Sequence, residues 1–167
     1  MRKIKEIVIH HSDSNFGNYR MIDEWHKNKG NKGIGYHFMI LNGYLNHKDF
    51  TDRNLDYKAI GKVEKGKNID EIVKHAKGYD SNSIGICLVH KDLPYKDKQL
   101  EAYRELTIAL AKIYNIALKN IRGHYEVCKS NSLCPGMDMN EERKILKEMI
   151  NNITDYDMNY LRISYLI

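Results

Sequence analysis

Residues 122–136 place His124, Glu126, Cys128 and Cys134 in one short stretch that ends Cys134-Pro135-Gly136. An imidazole nitrogen and a thiolate are both good zinc ligands, and a Pro-Gly pair makes a tight, fixed turn beside the second of them. These residues read as half of a metal site. The apolar run Ile7-Val8-Ile9 stops abruptly at His10-His11, a strand that delivers two imidazoles at its end. Neighbours on a strand point to opposite faces, so one histidine of the pair faces the cluster and the other packs elsewhere. With His10, His124 and Cys134 as protein ligands, the fourth tetrahedral position of zinc is left to water, as in catalytic sites. Water acidified in this way, beside a polarised carbonyl, hydrolyses amides once a proton-handling group and an oxyanion donor are supplied. Spacing alone leaves other readings open. A strand-end histidine is often structural, Cys134 alone is an ordinary buried thiol, and Cys128 or Cys134 with His124 would also suit a Cys-His peptidase.

The elements that must position these residues follow from periodicity. Residues 4–10 form a β-branched run suited to a buried strand, and Ile22, Trp25 and His26 recur at helical spacing, which predicts a helix over 20–29 ended by Gly30. Residues 35–41 read as a second buried strand, with Asn42-Gly43 as a hairpin turn into a partner at 44–47. Residues 48–74 are charged and carry no sustained strand pattern; a surface excursion over the site is expected, with a short helix at 69–73. A third buried strand runs over 83–90. A long amphipathic helix follows over 95–114, inward at Leu100, Tyr103, Leu106, Leu110, Ile113 and Tyr114. Residues 117–123 form a short strand or turn, and 140–150 a last helix with Ile145, Leu146, Met149 and Ile150 inward. Alternating strands and helices make an α/β domain, a central mixed sheet flanked by helices. The catalytic domain is assigned to 1–153, and 154–167 is a tail that suggests an added strand or an adhesive terminus.

At 167 residues, 42% hydrophobic and 29% charged, the chain has the composition of one globular domain with a real core. No apolar run approaches the roughly 18 residues that cross a bilayer, and the charged start lacks a signal-peptide core, so the chain is expected in the cytoplasm until released. Three cysteines, an odd number, argue against a disulfide framework. The net charge of +5 is spread among acids rather than gathered into a stripe. It is read as a solvated basic surface, with attraction to anionic wall polymers as the sharper alternative and nucleic acid not expected as a partner.

Five motifs in order carry a resemblance. Val8-Ile9-His10-His11-Ser12, Gly35-Tyr36-His37-Phe38, His75-Ala76-Lys77-Gly78-Tyr79, the block from Asn82 to Leu88, and Gly123-His124-Tyr125-Glu126 through Cys134-Pro135 together resemble the zinc-dependent N-acetylmuramoyl-L-alanine amidases. That family includes amidase-type phage lysozymes and peptidoglycan recognition proteins. The resemblance spans residues 4 to about 150 and implies the amidase-like α/β fold, a zinc ion on His10, His124 and Cys134, and bacterial peptidoglycan as substrate. It implies a catalytic role for Tyr36 and roles for His37, His75 and Asn82 in lining the site or supporting its ligands. The phage enzymes carry a lysine two residues before the cysteine ligand; here Ser132 stands there, where catalytic recognition proteins have a threonine, and Lys129 is the other candidate for the oxyanion. Residues between Asn46 and His75 form a modest insertion over the compact phage pattern. The expected protein is a monomeric endolysin that cuts between N-acetylmuramic acid and L-alanine. A non-catalytic peptidoglycan-binding module is the rival, and Glu126 is expected to make a cap or salt bridge rather than act as a base.

Overall fold

Strand β1, Glu6–His11, is the axis on which the other strands are laid. The computed structural model describes residues 2–128, 132–154, 157 and 160. β1 lies between β4 (Ser83–Leu88) and β5 (Ile121–Gly123), parallel to both. β2 (Phe38–Ile40) pairs parallel with β4 on its far side, and β3 (Val63–Lys65) closes that edge antiparallel to β2. The order β3-β2-β4-β1-β5 makes the sheet mixed, as expected from the interleaved strands and helices.

The faces of the sheet follow from the alternation of side chains. Ile7, Ile9, Ile84, Ile86 and Leu88 all enter one core cluster with Tyr103, Leu106 and Leu110 of helix α3 (Asp97–Ile113) and Leu146 of helix α5 (Met139–Asn152). Each such fully buried side chain contributes about 1.5–3 kcal/mol relative to exposure. The intervening positions face the other way. Met39 and Cys87 meet Ile22 of helix α1 (Tyr19–Asn28), while Val8 meets Ala76 and Val127. His10 has the parity of Val8 and therefore lies on this second face, at the carboxyl end of the parallel strands. α5 is capped by Asp138, whose side chain accepts from the Asn140 and Glu141 amides, and is tied to α3 by a two-point pair from Arg104 to Glu142.

Three expectations are corrected. Asn42-Gly43 does turn, with Gly43 at φ +94°, but 44–47 is not its partner strand. The chain first makes helix α2 (His47–Thr51), and β2 receives β3 instead. A two-residue turn is a local signal, and here the pairing was decided by the edge that β2 left open. Residues 69–73 form no helix: Asn68 and Glu71 close a single turn through their own side chains, and the Ile69 carbonyl is taken by Arg2. Ile113 is 41% exposed, because the last turn of α3 has carried it past the sheet. Of the tail, residues 161–167 lie outside the described residues, so the strand expected there does too.

Candidate metal centre

Parallel pairing assembles the site. The register sets His10 opposite Cys87 and Ile9 opposite Gly123, so His124, the residue after β5, comes beside His10. His124 opens a one-turn helix, α4 (His124–Val127), whose Glu126 carboxylate accepts the Gly123 amide at 2.9 Å and is gripped by Arg143 at two points. Glu126 is thus the cap and salt-bridge residue expected of it. The turn that carries Cys134 is laced to α4 through the Tyr125 amide and the Cys134 carbonyl at 2.8 Å. A Cβ at Gly123 would come within 2.8 Å of Pro135 and 2.9 Å of Met139, so only glycine lets the turn pack there. The Cys134-Pro135 bond is cis.

One ligand atom from each of His10, His124 and Cys134 lies within 4.8 Å of the others. His10 is 2% exposed, its ring centroid is 4.6 Å from that of His124, and its Nδ1 is 4.0 Å from Cys134 Sγ. Ligands on one tetrahedral zinc, with Zn–N of about 2.0 Å and Zn–S of about 2.3 Å, stand about 3.6 Å apart. The two-nitrogen, one-sulfur donor set fits zinc. The His11 amide donates to Cys134 Sγ at 3.2 Å, while the His11 side chain turns away and lies 5.9 Å from the His90 ring. Burial pushes the Cys134 thiol up to about 11 against that amide, and burial holds His10 well below the ordinary histidine value, with His75 and His124 adding to the effect.

Tyr36 stands 5.2 Å from the His10 ring, placed by His26, whose Nδ1 accepts the Gly35 amide. Burial, then the nearby Cys87 and Cys134 thiols, raise its phenol well above the ordinary value, so Oη keeps its proton at neutral pH. His75 reaches the site from the excursion: its Nδ1 is 3.0 Å from His10 Nε2 and its Nε2 is 3.1 Å from Ser83 Oγ. Its ring lies on Gly85, where a Cβ would meet Nδ1 at 2.9 Å. Gly85→Ala is therefore expected to displace His75 and to destabilise the protein by about 1–3 kcal/mol, read as a lowered denaturant midpoint in urea.

His37 is fully buried; its Nδ1 accepts the Gly85 amide and its Nε2 is 3.2 Å from the Glu71 carbonyl. Burial lowers its pKa to about 4. In the unfolded chain that value returns to about 6.5, so below this the unfolded state binds the proton more readily. His37 thus contributes stability that is present above pH 6.5 and lost as pH falls toward 4. Urea unfolding of the metal-free protein is expected to show about 3 kcal/mol less stability at pH 4 than at pH 7 from this residue alone. A flat profile would contradict it.

The remaining expected residues fall in different places. Ser132 stands two residues before Cys134 of the cluster, and its Oγ accepts the Cys134 amide at 3.1 Å. Lys129 lies outside the described residues. Asn82 is not brought to the cluster: it precedes β4 at the opposite end of the strands, where its carbonyl accepts the Lys5 and Glu6 amides. Cys87 is core, as expected. Sequence reasoning missed Ser83, Gly85 and Arg2, whose guanidinium binds the Ile69, Asp80 and Ser83 carbonyls. A glycine inside a buried strand signals close approach by another group, and Gly85 carried that signal.

The model of the N-acetylmuramoyl-L-alanine amidase family matches residues 1–137. The endolysin of Escherichia phage T7 is 33% identical over 127 residues, which cover 72% of this chain and 70% of the relative. The endolysin of Enterobacteria phage T3 is 32% identical over the same shares. Among solved structures, the endolysin N-acetylmuramoyl-L-alanine amidase LysCS of Clostridium intestinale URNW superposes with TM-score 0.69 at 26% identity, covering 90% of this chain and 85% of that one. Drosophila PGRP-LB superposes with TM-score 0.61 at 22% identity over 85% and 80%, a likeness of fold.

Proposed function

The chain belongs to the N-acetylmuramoyl-L-alanine amidase family, and on that premise we propose that it cuts the amide between N-acetylmuramic acid and L-alanine of bacterial peptidoglycan with one zinc ion on His10, His124 and Cys134. It is a peptidoglycan amidase of the endolysin kind. The observation that carries the zinc reading is the convergence of those three donor atoms, from β1, α4 and the Cys134 turn, within 4.8 Å. When bound there, zinc supplies Lewis-acid chemistry, acidifying water and polarising the scissile carbonyl.

The chain's own residues do the rest. Tyr36, beside His10 and protonated at Oη, orients the attacking water and gives a hydrogen bond to the charge that develops on the carbonyl oxygen. Ser132 accepts the Cys134 amide, which leaves its hydroxyl proton to give to the same oxygen; Lys129 is the alternative donor. His75, half-buried, is the one of the three supporting residues with a face toward substrate, whereas His37 holds the backbone behind it. Asn82, at the far strand ends, is assigned no step. Among the described residues no helix is long and apolar enough to cross a membrane.

Purified protein is expected to release new alanine α-amino groups from peptidoglycan, to lose that activity on metal removal by a chelator, and to regain it with zinc. Hydrolysis untouched by metal removal would sink the zinc mechanism. Binding without hydrolysis in the zinc-loaded protein would favour a non-catalytic module, against which the intact ligand set already weighs.

A further inference from the structure

We infer that Ser83 is a positioning residue for the metal centre: acting through His75, it fixes the proton of His10 on Nε2 and so leaves Nδ1 bare toward Cys134. The inference rests on the zinc reading above and adds to it which nitrogen of His10 serves as ligand and what selects it.

The hydrogen bonds leave one consistent set of proton positions. Ser83 Oγ lies 2.7 Å from the Tyr79 carbonyl, which can only accept, so the single hydroxyl proton is spent there. Oγ must then accept at its other contact, and His75 Nε2, 3.1 Å away, carries a proton and donates it. A neutral imidazole that donates at one nitrogen presents a lone pair at the other. His75 Nδ1 therefore accepts from His10 Nε2 at 3.0 Å. The remaining nitrogen of His10, Nδ1, faces Cys134 Sγ with its lone pair. Histidine ligands are oriented in this way by a partner on their second nitrogen, and loss of such a partner lowers metal affinity about 10- to 100-fold. Here the partner is a histidine backed by a serine and a main-chain carbonyl, with no carboxylate in the chain of bonds.

The surrounding structure holds this relay in place. The Asp80 carboxylate accepts the backbone amides of both His75 and Ala76, at 2.9 and 2.7 Å. Arg2 grips the Asp80 and Ser83 carbonyls at 2.8 Å each. Gly85 supplies the space in which the His75 ring lies against β4. Ser83 itself is fully buried, so its hydroxyl finds no competing water.

Two measurements test the relay. In the intact, metal-free protein, imidazole ¹⁵N NMR distinguishes the two neutral tautomers, and both His75 and His10 are expected as the Nε2–H form. The Nδ1–H form at either residue overturns the inference. In Ser83→Ala, zinc affinity measured by competition with a chromophoric chelator is expected to fall about 10-fold or more, with the His75 tautomer preference lost. A folded Ser83→Ala protein whose zinc affinity stays within threefold of wild type also overturns it, and should that variant fail to fold, the wild-type spectrum still decides. His10→Ala separates the two levels of the argument: if it keeps its zinc, the metal reading fails, whereas if it loses zinc while Ser83→Ala does not, the relay alone fails.

Discussion

His10→Ala is expected to leave the purified protein with no bound zinc and to lower its hydrolysis of peptidoglycan by about 10³-fold or more. The magnitude follows from the chemistry at stake, since a metal that polarises a carbonyl and acidifies water is worth several kcal/mol of barrier, and each 1.4 kcal/mol or so is tenfold in rate. His10 carries the largest share because it is the most enclosed of the three ligands and stands at the centre of the ring cluster of Tyr36, His75 and His124. Cys134→Ser should follow closely, because it removes the soft donor that the His11 amide supports. Elemental analysis of the purified variants, set beside their rates of release of alanine amino groups, checks both. A His10→Ala protein that retains one zinc and wild-type rates would refute the ligand set.

Tyr36→Phe is expected to act differently. The ring still fills its place against Met39 and Cys87 in the second core cluster, so folding and zinc content should be unchanged. Only the hydroxyl is lost, and with it a proton held well above its ordinary range of release by burial. A positioned hydroxyl that acts in the transition state contributes about 10²- to 10⁴-fold, so kcat should fall by that order while KM moves little. A loss confined to KM would show that Tyr36 holds substrate and takes no part in the chemistry. The contrast between the two variants, one losing metal and rate together and the other rate alone, is the sharpest test of the proposed division of labour.

Much of this site could be read before the fold was known, for reasons that differ from residue to residue. A donor at the end of β1 was legible because an apolar strand ending in two histidines turns one of them to each face, while the choice of His10 rested on the family resemblance. His124 and Cys134 were legible as candidates because their types are metal donors and a Pro-Gly turn fixes the second. Glu126 was legible as a cap because it stands three residues after Gly123 at a helix start. The partner of β2 was not legible, since the open edge of a sheet can be filled from anywhere in the chain and Val63–Lys65 has too few residues to announce itself. Ser83 was hidden for another reason. A serine at the start of an apolar strand looks like a boundary, and its function depends on a histidine that only the folded excursion delivers. The placement of Asn82 shows the limit of motif reading: it lies one residue from Ser83 in sequence, yet the strand direction carries it away from the ligands.

His10 and Cys134 are separated by 124 positions in the chain, and the parallel pairing of β1 with β5, with the Cys134 turn laced to α4, brings them together. At a synthesis rate of about 5–20 residues per second, His10 waits about 6–25 s for its thiol partner to be made. Assembly of the three donors is therefore a late event, possible only once Cys134 has been made and β5 has docked on β1. An ion bound there would stabilise the closed topology by mass action, and a chain stopped before Cys134 would lack one of the three donors. The wiring of the sheet thus makes the donor set a product of the folded sheet and not of any one segment.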